Sequence, residues 1–348
     1  MPHPEAMNDR ARGAMYGVAL GDALGAPTEF MRVEEILRRW PPNGPECPTG
    51  TPARVTDDTQ MAIAVAEALL DAAPAGKFSA ETLEPPLRAR FVEWLDSPDN
   101  NRAPGMTCLH ACELLLQGYP WLKATVPGSK GCGANMRVPP VAILPSGPHG
   151  IDDETRAAIA QFQAALTHGH PTGLAASDLT ARAITDLING ADPATLPDRL
   201  IDYARSQREI YHAAWLGTLW QRPGMRTPAE FISRGWDECL GVLGRLKSAL
   251  ATPDRNADPC IATGDGWIAE EALSTGLHAF LLFPDDPVQA LRRAAVTRGD
   301  SDSIASLCGA FAGARHGMAA WPEEWVTRIE YGTRIGELAD ALSAPIAG

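Results

Sequence analysis

Residues 298–314 read RGDSDSIASLCGAFAGA, and this stretch points to the fold. Two aspartates and two serines stand directly before an apolar run. Ile304, Leu307, Cys308 and Phe311 recur at helical spacing, which predicts a helix with one buried face. Small residues fill the positions between them, so that a second helix could come very close: Ala305, Gly309, Ala310, Gly313 and Ala314. The stretch therefore predicts a tightly packed core helix with negative charge at its N-terminus.

A second acidic segment, RVTDDTQM at residues 54–61, also precedes an apolar run. Met61, Val65 and Leu69 lie on one face of a helix predicted for residues 57–73. Helix capping explains the polar residues in the simplest way. Thr56 or Asp57 would be the N-cap, and Gln60 would complete a capping box with Asp57. A metal site is the alternative, and this segment alone leaves both open.

The composition favours an all-α protein. Hydrophobic residues make up 45% of the 348 residues and aromatic residues only 6%, which suits closely packed helices. Prolines and glycines predict loops at 41–54 and 126–150. We expect one domain over residues 9–348 after a flexible N-terminus at residues 1–8. Helical patterns occupy 9–25, 57–73, 153–166, 177–189, 200–220, 228–250, 266–282, 287–297 and 303–315.

Charge, hydropathy and cysteine usage exclude several classes of protein. A net charge of −13 leaves no basic face for a nucleic acid. No run approaches the roughly 18 apolar residues of a membrane helix, and the N-terminus has no apolar signal core. Seven cysteines without a C-x-x-C pair fit neither a disulfide framework nor a zinc site. We therefore expect a cytoplasmic protein, and a monomer by default.

The two acidic segments contain only hard oxygen ligands, which suit Mg²⁺ or Mn²⁺ better than zinc. Asp300 and Asp302 would diverge inside a helix but can converge in the turn that leads into it. Two helix N-termini with facing carboxylates would repel each other unless a divalent cation lay between them. Spacing alone does not reveal whether the segments meet.

Two further polar elements have both a simple and a functional interpretation. GDALGAPTEF at residues 21–30 reads as a helix end capped by Gly25, with Glu29 in solvent. GCGANMR at residues 131–137 has glycines that would let backbone N–H groups approach phosphates. It matches neither the P-loop nor the dinucleotide fingerprint.

Taken together and in this order, the motifs resemble the ADP-ribosylglycohydrolase family, in particular its bacterial dinitrogenase reductase-activating members. The resemblance runs from about residue 9 to about residue 318. It rests on GVALGDALGAPTEFM, VTDDTQM, KGCGANMRVPP, ALTHGHP and RGDSDSIASLCGAFAGA.

The resemblance implies an all-α, orthogonal multi-helix fold whose central cleft holds two Mg²⁺ or Mn²⁺ ions. It assigns catalysis to Glu29, Asp58 and Asp302. Relatives often have threonine at the position of Ser303, and serine keeps the hydroxyl. The implied metal ligands are Thr56, Asp57, Asp58, Asp300, Asp302 and Ser303. The implied substrate-binding residues are Gly131, Cys132, Gly133, Ala134, Asn135, Met136 and His168, with backbone amides of 131–135 on the diphosphate.

The implied reaction cleaves the glycosidic bond between ADP-ribose and a modified acceptor, first of all protein arginine. The substrate would be an ADP-ribosylated protein and the product ADP-ribose. Modified serine, a nucleobase or a small molecule are alternative acceptors. A protein of the same fold could instead neutralise an ADP-ribosylating toxin by binding. A helical dinuclear-metal phosphohydrolase is a weaker alternative, because those enzymes need adjacent His-Asp pairs and this chain has none.

Overall fold

The structure is a computed structural model that describes residues 3–147 and 150–345. In these residues it contains isolated β-bridges, eighteen α-helices and five short 3-10 helices. The α-helices are α1 (Pro4–Gly25), α2 (Val33–Arg39), α3 (Asp57–Ala72), α4 (Ala80–Leu95), α5 (Met106–Leu116), α6 (Trp121–Ala124), α7 (Pro139–Ala142), α8 (Asp153–Ala165), α9 (Pro171–Ile188), α10 (Leu196–Gln207), α11 (Ala213–Leu216), α12 (Pro228–Ala251), α13 (Cys260–Thr263), α14 (Ala269–Leu282), α15 (Pro287–Ala294), α16 (Ser301–His316), α17 (Glu323–Arg328) and α18 (Gly332–Ser343). The 3-10 helices span Ala26–Thr28, Ala73–Ala75, Cys132–Ala134, Pro193–Thr195 and Gly317–Ala320. The predicted all-α class is confirmed.

The centre of the fold is the crossing of α1 and α16, whose backbones touch. A Cβ atom added to Gly17 would lie 2.1 Å from the carbonyl oxygen of Gly309. One added to Gly21 would lie 2.0 Å from that of Ala305. Only glycine fits at these positions, because the two backbones lie so close that no Cβ atom has room between them. The small residues of α16 therefore do admit a second helix at very short range, as their pattern predicts.

Other helices enclose this pair. α14 and α15 pack against α16, α18 packs against α1, and α9 contacts both α16 and α12. α3 lies against α4 and brings its N-terminus to the N-terminus of α16. The buried apolar residues form one core that reaches from Ala11 in α1 to Leu342 in α18. The crossing thereby fixes the relative positions of the segments that carry acidic residues.

Most predicted helices occur, with shifted ends. The pattern at 177–189 is the last two thirds of α9, and the pattern at 200–220 is interrupted after Gln207 and resumes as the short α11. Residues 41–54 contain no helix, as predicted, whereas the stretch 126–150 contains the 3-10 helix Cys132–Ala134 and α7 and is not the continuous loop that its prolines and glycines predict. The boundary between a flexible N-terminus and a domain at residue 9 stays a prediction, although α1 already begins at Pro4. Residues 1–2, 148–149 and 346–348, which belong to the predicted N-terminus, loop and domain, lie outside the described residues.

Two further observations on the described chain concern membrane-spanning helices and disulfide bonds. None of its helices combines the length and the apolar character that a membrane crossing requires. All seven cysteines are free thiols, which agrees with the expectation that they form no disulfide framework.

Candidate active site

The two acidic segments meet at one cleft of about 310 Å³. Asp57 and Asp58 open α3, while Asp302 lies in the first turn of α16 and Asp300 is its N-cap residue. All four side chains are buried and line this cleft. Residues that are far apart in the sequence are brought together because α1 and α3 both pack against α16.

Capping does not explain the polar residues of these two helices. Elsewhere in the fold, N-cap side chains accept hydrogen bonds from their own helices, as Asp152 and Thr227 do. Thr56 and Asp300 hold the N-cap positions of α3 and α16 but make no such bond. The side chain of Gln60 contacts Trp94 and the carbonyl of Asp99 instead of forming a capping box. Thr56 is therefore the N-cap residue of α3, as predicted, but the predicted capping box is absent and the Thr56 side chain does not cap the helix.

A fifth aspartate, Asp22 of α1, holds the start of α3 in place. Its fully buried carboxylate accepts hydrogen bonds from the backbone N–H groups of Thr56 and Thr59, at 2.9 to 3.1 Å. The hydroxyls of the same two threonines donate to it at 2.8 and 2.5 Å. Asp22 thus replaces the missing cap and orients the segment between these threonines.

Direct contacts join the two helix N-termini. The Ser303 hydroxyl donates to Asp58 Oδ2 at 3.3 Å. Thr56 Oγ1 lies 3.4 Å from Asp302 Oδ2, and the Gly105 N–H donates to Asp57 Oδ2 at 3.1 Å. The other carboxylate oxygen of Asp58, Oδ1, is buried and has no hydrogen-bond partner in the described chain. An unpaired buried carboxylate oxygen of this kind is costly unless a cation or a proton meets it.

The clustering of carboxylates raises their pKa values. Burial, followed by the charge of Asp302, raises the pKa of Asp57 to about 7 and that of Glu29 to about 9. The same two causes hold the pKa values of Asp58 and Asp300 well above their usual range. The cluster therefore favours any partner that neutralises negative charge, either protons or cations.

Glu29 closes the cluster from the loop that follows α1. One carboxylate oxygen each from Glu29, Asp300 and Asp302 lie within 4.8 Å of one another. Gly25 does not cap α1 in a left-handed conformation, since its φ of −82° is helical and a Cβ there would meet the backbone of α16. Interpreting Glu29 as a solvated residue after a helix cap is therefore wrong.

An aromatic pair stands at the mouth of the cleft. The rings of Phe30 and Trp267 stack with centroids 5.4 Å apart and an interplanar angle of 20°. Both are exposed, and Phe30 has a φ of 63°, which is uncommon for a residue with a side chain. The loop carrying Glu29 is thus held against the segment before α14.

The donor set fits divalent cations. Carboxylate and hydroxyl groups from α3, α16 and Glu29 line one cleft, and one of their oxygens, Asp58 Oδ1, lacks a partner in the described chain. Hard oxygen ligands of this kind suit Mg²⁺ or Mn²⁺. Among the predicted ligands, Thr56 has its hydroxyl proton directed at Asp22 Oδ1, 2.8 Å away, while the hydroxyl oxygen lies 3.4 Å from Asp302 Oδ2.

The glycine loop at 131–136 also contributes to the cleft. Gly131, Cys132, Gly133 and Met136 line it, together with His168. The remaining two predicted residues, Ala134 and Asn135, are fully buried outside the lining. The Ala134 carbonyl accepts from Gln163 and Ser177, and the Asn135 side chain donates to the carbonyl of Ala269.

The structure corrects the predicted role of the loop's backbone amides. The N–H of Cys132 already donates to the carbonyl of Trp267, and those of Ala134 and Asn135 donate to carbonyls within the loop. These amides are therefore committed to the protein itself. Among residues 131–135, the N–H of Gly133 makes no hydrogen bond in the described chain, and that of Gly131 makes only a long one of 3.5 Å to Ser129.

Several residues at the site were not predicted. Asp22 had a signal in the sequence, because it is the one charged residue in the apolar and small-residue stretch 13–25 that ends α1. Phe30 and Trp267 had no signal in the sequence, since they are far apart along the chain and meet only through the packing of α1, α14 and α16.

An all-helical fold that gathers buried carboxylates from two helix N-termini defines the class: a helical protein with an acidic, oxygen-lined cleft. A sequence model of the ADP-ribosylglycohydrolase family matches residues 3–347. The chain belongs to this family, and the resemblance inferred from its motifs is confirmed.

Three of the proteins similar to this chain have names that state an activity. ADP-ribosylarginine hydrolase Tri1 of Pseudomonas putida is 27% identical over 97% of this chain and 79% of its own length. ADP-ribosyl-[dinitrogen reductase] glycohydrolase of Rhodospirillum rubrum is 26% identical over 97% of both chains. Human ADP-ribosylhydrolase ARH3 is 26% identical over 96% of this chain and 92% of its own.

A solved structure described as an ADP-ribosylglycohydrolase-related protein complex has a similar fold. Its TM-score is 0.64 with 24% identity, and the match covers 97% of this chain and 98% of that one. This likeness supports the fold assignment.

Proposed function

We propose that this protein is a metal-dependent ADP-ribosylhydrolase that cleaves the glycosidic bond between ADP-ribose and a modified acceptor, first of all a protein arginine. The observation that carries the proposal is the meeting of four buried aspartates from two distant helix N-termini beside Glu29. Relatives named as an ADP-ribosylarginine hydrolase and an ADP-ribosyl-[dinitrogen reductase] glycohydrolase support the substrate class.

The oxygen ligands of α3 and α16 would hold two Mg²⁺ or Mn²⁺ ions. The proposed ligands are Thr56, Asp57, Asp58, Asp300, Asp302 and Ser303, with Asp22 orienting the first of them. Such ions supply Lewis-acid assistance at ribose oxygens and increase the acidity of water. Their positive charge would also offset the repulsion that raises the carboxyl pKa values.

This arrangement explains how a chain with a net charge of −13 could bind an anionic nucleotide. The ribose that bears the acceptor would lie at the acidic end of the cleft, against Asp58 and Asp302. The diphosphate would lie toward Gly131, Gly133 and His168. There the chain offers N–H donors to the phosphate oxygens, and binding them needs no carboxylate.

The residues of the cleft would stabilise a transition state with oxocarbenium character at the anomeric carbon. Glu29 borders the carboxylate cluster, and its carboxyl group can exchange a proton with a molecule bound in the cleft. It is placed to protonate the departing acceptor or to deprotonate the attacking water. Glu29→Gln keeps the size of the side chain and removes this exchange, so it should lower kcat far more than KM.

The test is to incubate the protein with an ADP-ribosylarginine protein, with Mg²⁺ or with a chelator, and to identify the product. Free ADP-ribose that forms only with the metal supports the proposal. Phosphate as the product would indicate a phosphohydrolase, and tight binding without release would indicate the toxin-neutralising alternative. Substrates modified on arginine, serine and a nucleobase, compared at equal concentration, identify the acceptor.

A further inference from the structure

Arg137 is a fully buried guanidinium whose hydrogen bonds go to neutral groups. Its Nε donates to Gln163 Oε1 at 2.8 Å, and its Nη2 donates to the Gln163 carbonyl at 2.7 Å and to Thr167 Oγ1 at 2.8 Å. The guanidinium also lies over the ring of Phe91, 4.4 Å from the centroid. A buried cation without a carboxylate orients the dipoles around it.

Thr167 connects this cation to the imidazole of His168. Its hydroxyl oxygen accepts from Arg137 and lies 2.7 Å from His168 Nδ1. The hydroxyl proton has one other acceptor, the carbonyl of Ala164 at 3.4 Å. If the hydroxyl donates to Nδ1, its proton makes the shorter of these two contacts and the imidazole proton is on Nε2; in the reverse arrangement the hydroxyl proton has the longer contact to Ala164.

Electrostatics favours the same arrangement. Burial and the charge of Arg137 lower the pKa of His168 well below its usual value, so the ring is neutral. A neutral imidazole has its negative end at the bare nitrogen and its positive end at the N–H. With the proton on Nε2, the bare Nδ1 faces the side of the guanidinium, and the N–H faces the cleft that contains the carboxylates.

We propose that Arg137 and Thr167 are positioning residues that fix His168 in the Nε2–H form, so that it presents a permanent hydrogen-bond donor to the cleft. The glycine loop leaves this donor uncovered: a Cβ atom on Gly131 would lie 3.3 Å from Nε2, and one on Gly133 would lie 3.0 Å from Cε1. The ligand that fits is an oxygen acceptor. If the proposed function holds, that acceptor belongs to ADP-ribose.

The wild-type protein provides the first test, without any substrate. In full-length protein labelled with ¹⁵N-histidine, long-range proton–nitrogen correlation spectra distinguish bare from protonated ring nitrogens. The signals of His168 are those lost in His168→Gln. We expect a protonated Nε2 and a bare Nδ1 whose resonance shows an accepted hydrogen bond. A proton on Nδ1 would overturn the proposal whatever the enzyme does.

Variants of Thr167 give the second test. Thr167→Val removes the hydroxyl, so the Nδ1 resonance should move to that of an unbonded nitrogen, whereas Thr167→Ser should keep the wild-type position. An unchanged resonance in the valine variant would refute the relay. Thr185→Val is the matched control, because it removes a buried hydroxyl that, among the described residues, bonds only to the carbonyl of Ala142.

Calorimetric titration with ADP-ribose links the donor to binding. We expect Thr167→Val to bind about tenfold more weakly, the loss expected for one hydrogen bond, and the serine variant and Thr185→Val to bind like wild type. Equal affinity in wild type and Thr167→Val would contradict the inference. Failure of the wild-type protein to bind ADP-ribose would instead contradict the proposed function, while the spectra still decide the position of the proton.

Discussion

The contact of α1 with α16 makes a quantitative prediction for Gly17→Ala. The added Cβ would lie 2.1 Å from the carbonyl oxygen of Gly309, whereas ordinary contacts begin near 3.4 Å, so the helices would have to separate by more than 1 Å. Overpacking against movable side chains typically costs about 1–3 kcal/mol, and here the obstacle is backbone, which places the cost at about 3 kcal/mol. Alanine returns about 1 kcal/mol through its better helix propensity. The free energy of unfolding should therefore fall by about 2 kcal/mol.

Gly244→Ala is the matched control on the exposed side of α12. A Cβ there has no neighbour within 4 Å, so only the propensity gain of about 1 kcal/mol remains. Equilibrium urea unfolding followed by circular dichroism should separate the two variants by about 3 kcal/mol. Equal stability of the two variants would refute the claim that the backbones touch.

The same variant connects the fold to the site. α1 carries Asp22 and leads into Glu29, while α16 carries Asp302, so a separation of 1 Å disturbs the acidic cluster. Gly17→Ala should therefore also reduce the rise in melting temperature that Mg²⁺ causes. Gly244→Ala should leave that rise unchanged.

Three further predictions concern single side chains. Asp302→Asn should abolish most ADP-ribose release and weaken Mg²⁺ binding in calorimetry, because this carboxylate contacts both acidic segments; unchanged Mg²⁺ binding would remove it from the ligand set. Burial raises the pKa of Asp178 from 3.8 to about 6, so the folded state retains a proton that the unfolded state releases. The free energy of unfolding therefore falls by up to about 3 kcal/mol as the pH rises from about 4 through 6. Asp178→Asn should remove this loss, so that its unfolding free energy at pH 7 exceeds that of wild type; an identical pH dependence would contradict the assignment. Gly131→Ala would place a methyl group on the Nε2 edge of His168 and should weaken ADP-ribose binding with little change in stability, so unchanged affinity would indicate that the ligand does not use this donor.

Local patterns in the sequence were sufficient for the helices that carry the motifs. α3 and α16 have clear apolar periodicity and acidic N-termini, and both occur where they were predicted. We derived no prediction for α4, which contains Pro85 and Pro86 in its interior. Prolines remove helical hydrogen bonds, so a local rule excludes them, whereas the burial of residues such as Leu83 and Phe91 against the core compensates for that loss.

At the site, the sequence revealed which types of residue take part but not how they are arranged in space. Adjacent aspartates and hydroxyls indicated oxygen ligands, and the family resemblance assigned them to a common cleft. The commitment of the Cys132 and Asn135 amides to internal hydrogen bonds could not be predicted, because it depends on where the glycine loop meets the segment before α14.

The sequence by itself determined the helical class, the close-packing face of α16 and the oxygen chemistry of its acidic segments, because these follow from residue type and short-range periodicity. Only the tertiary structure decided that the acidic segments meet, that Asp22 holds the start of α3, and that Thr167 contacts both Arg137 and His168. Those facts depend on contacts between residues distant in the chain, and such contacts are set by the packing of the whole core.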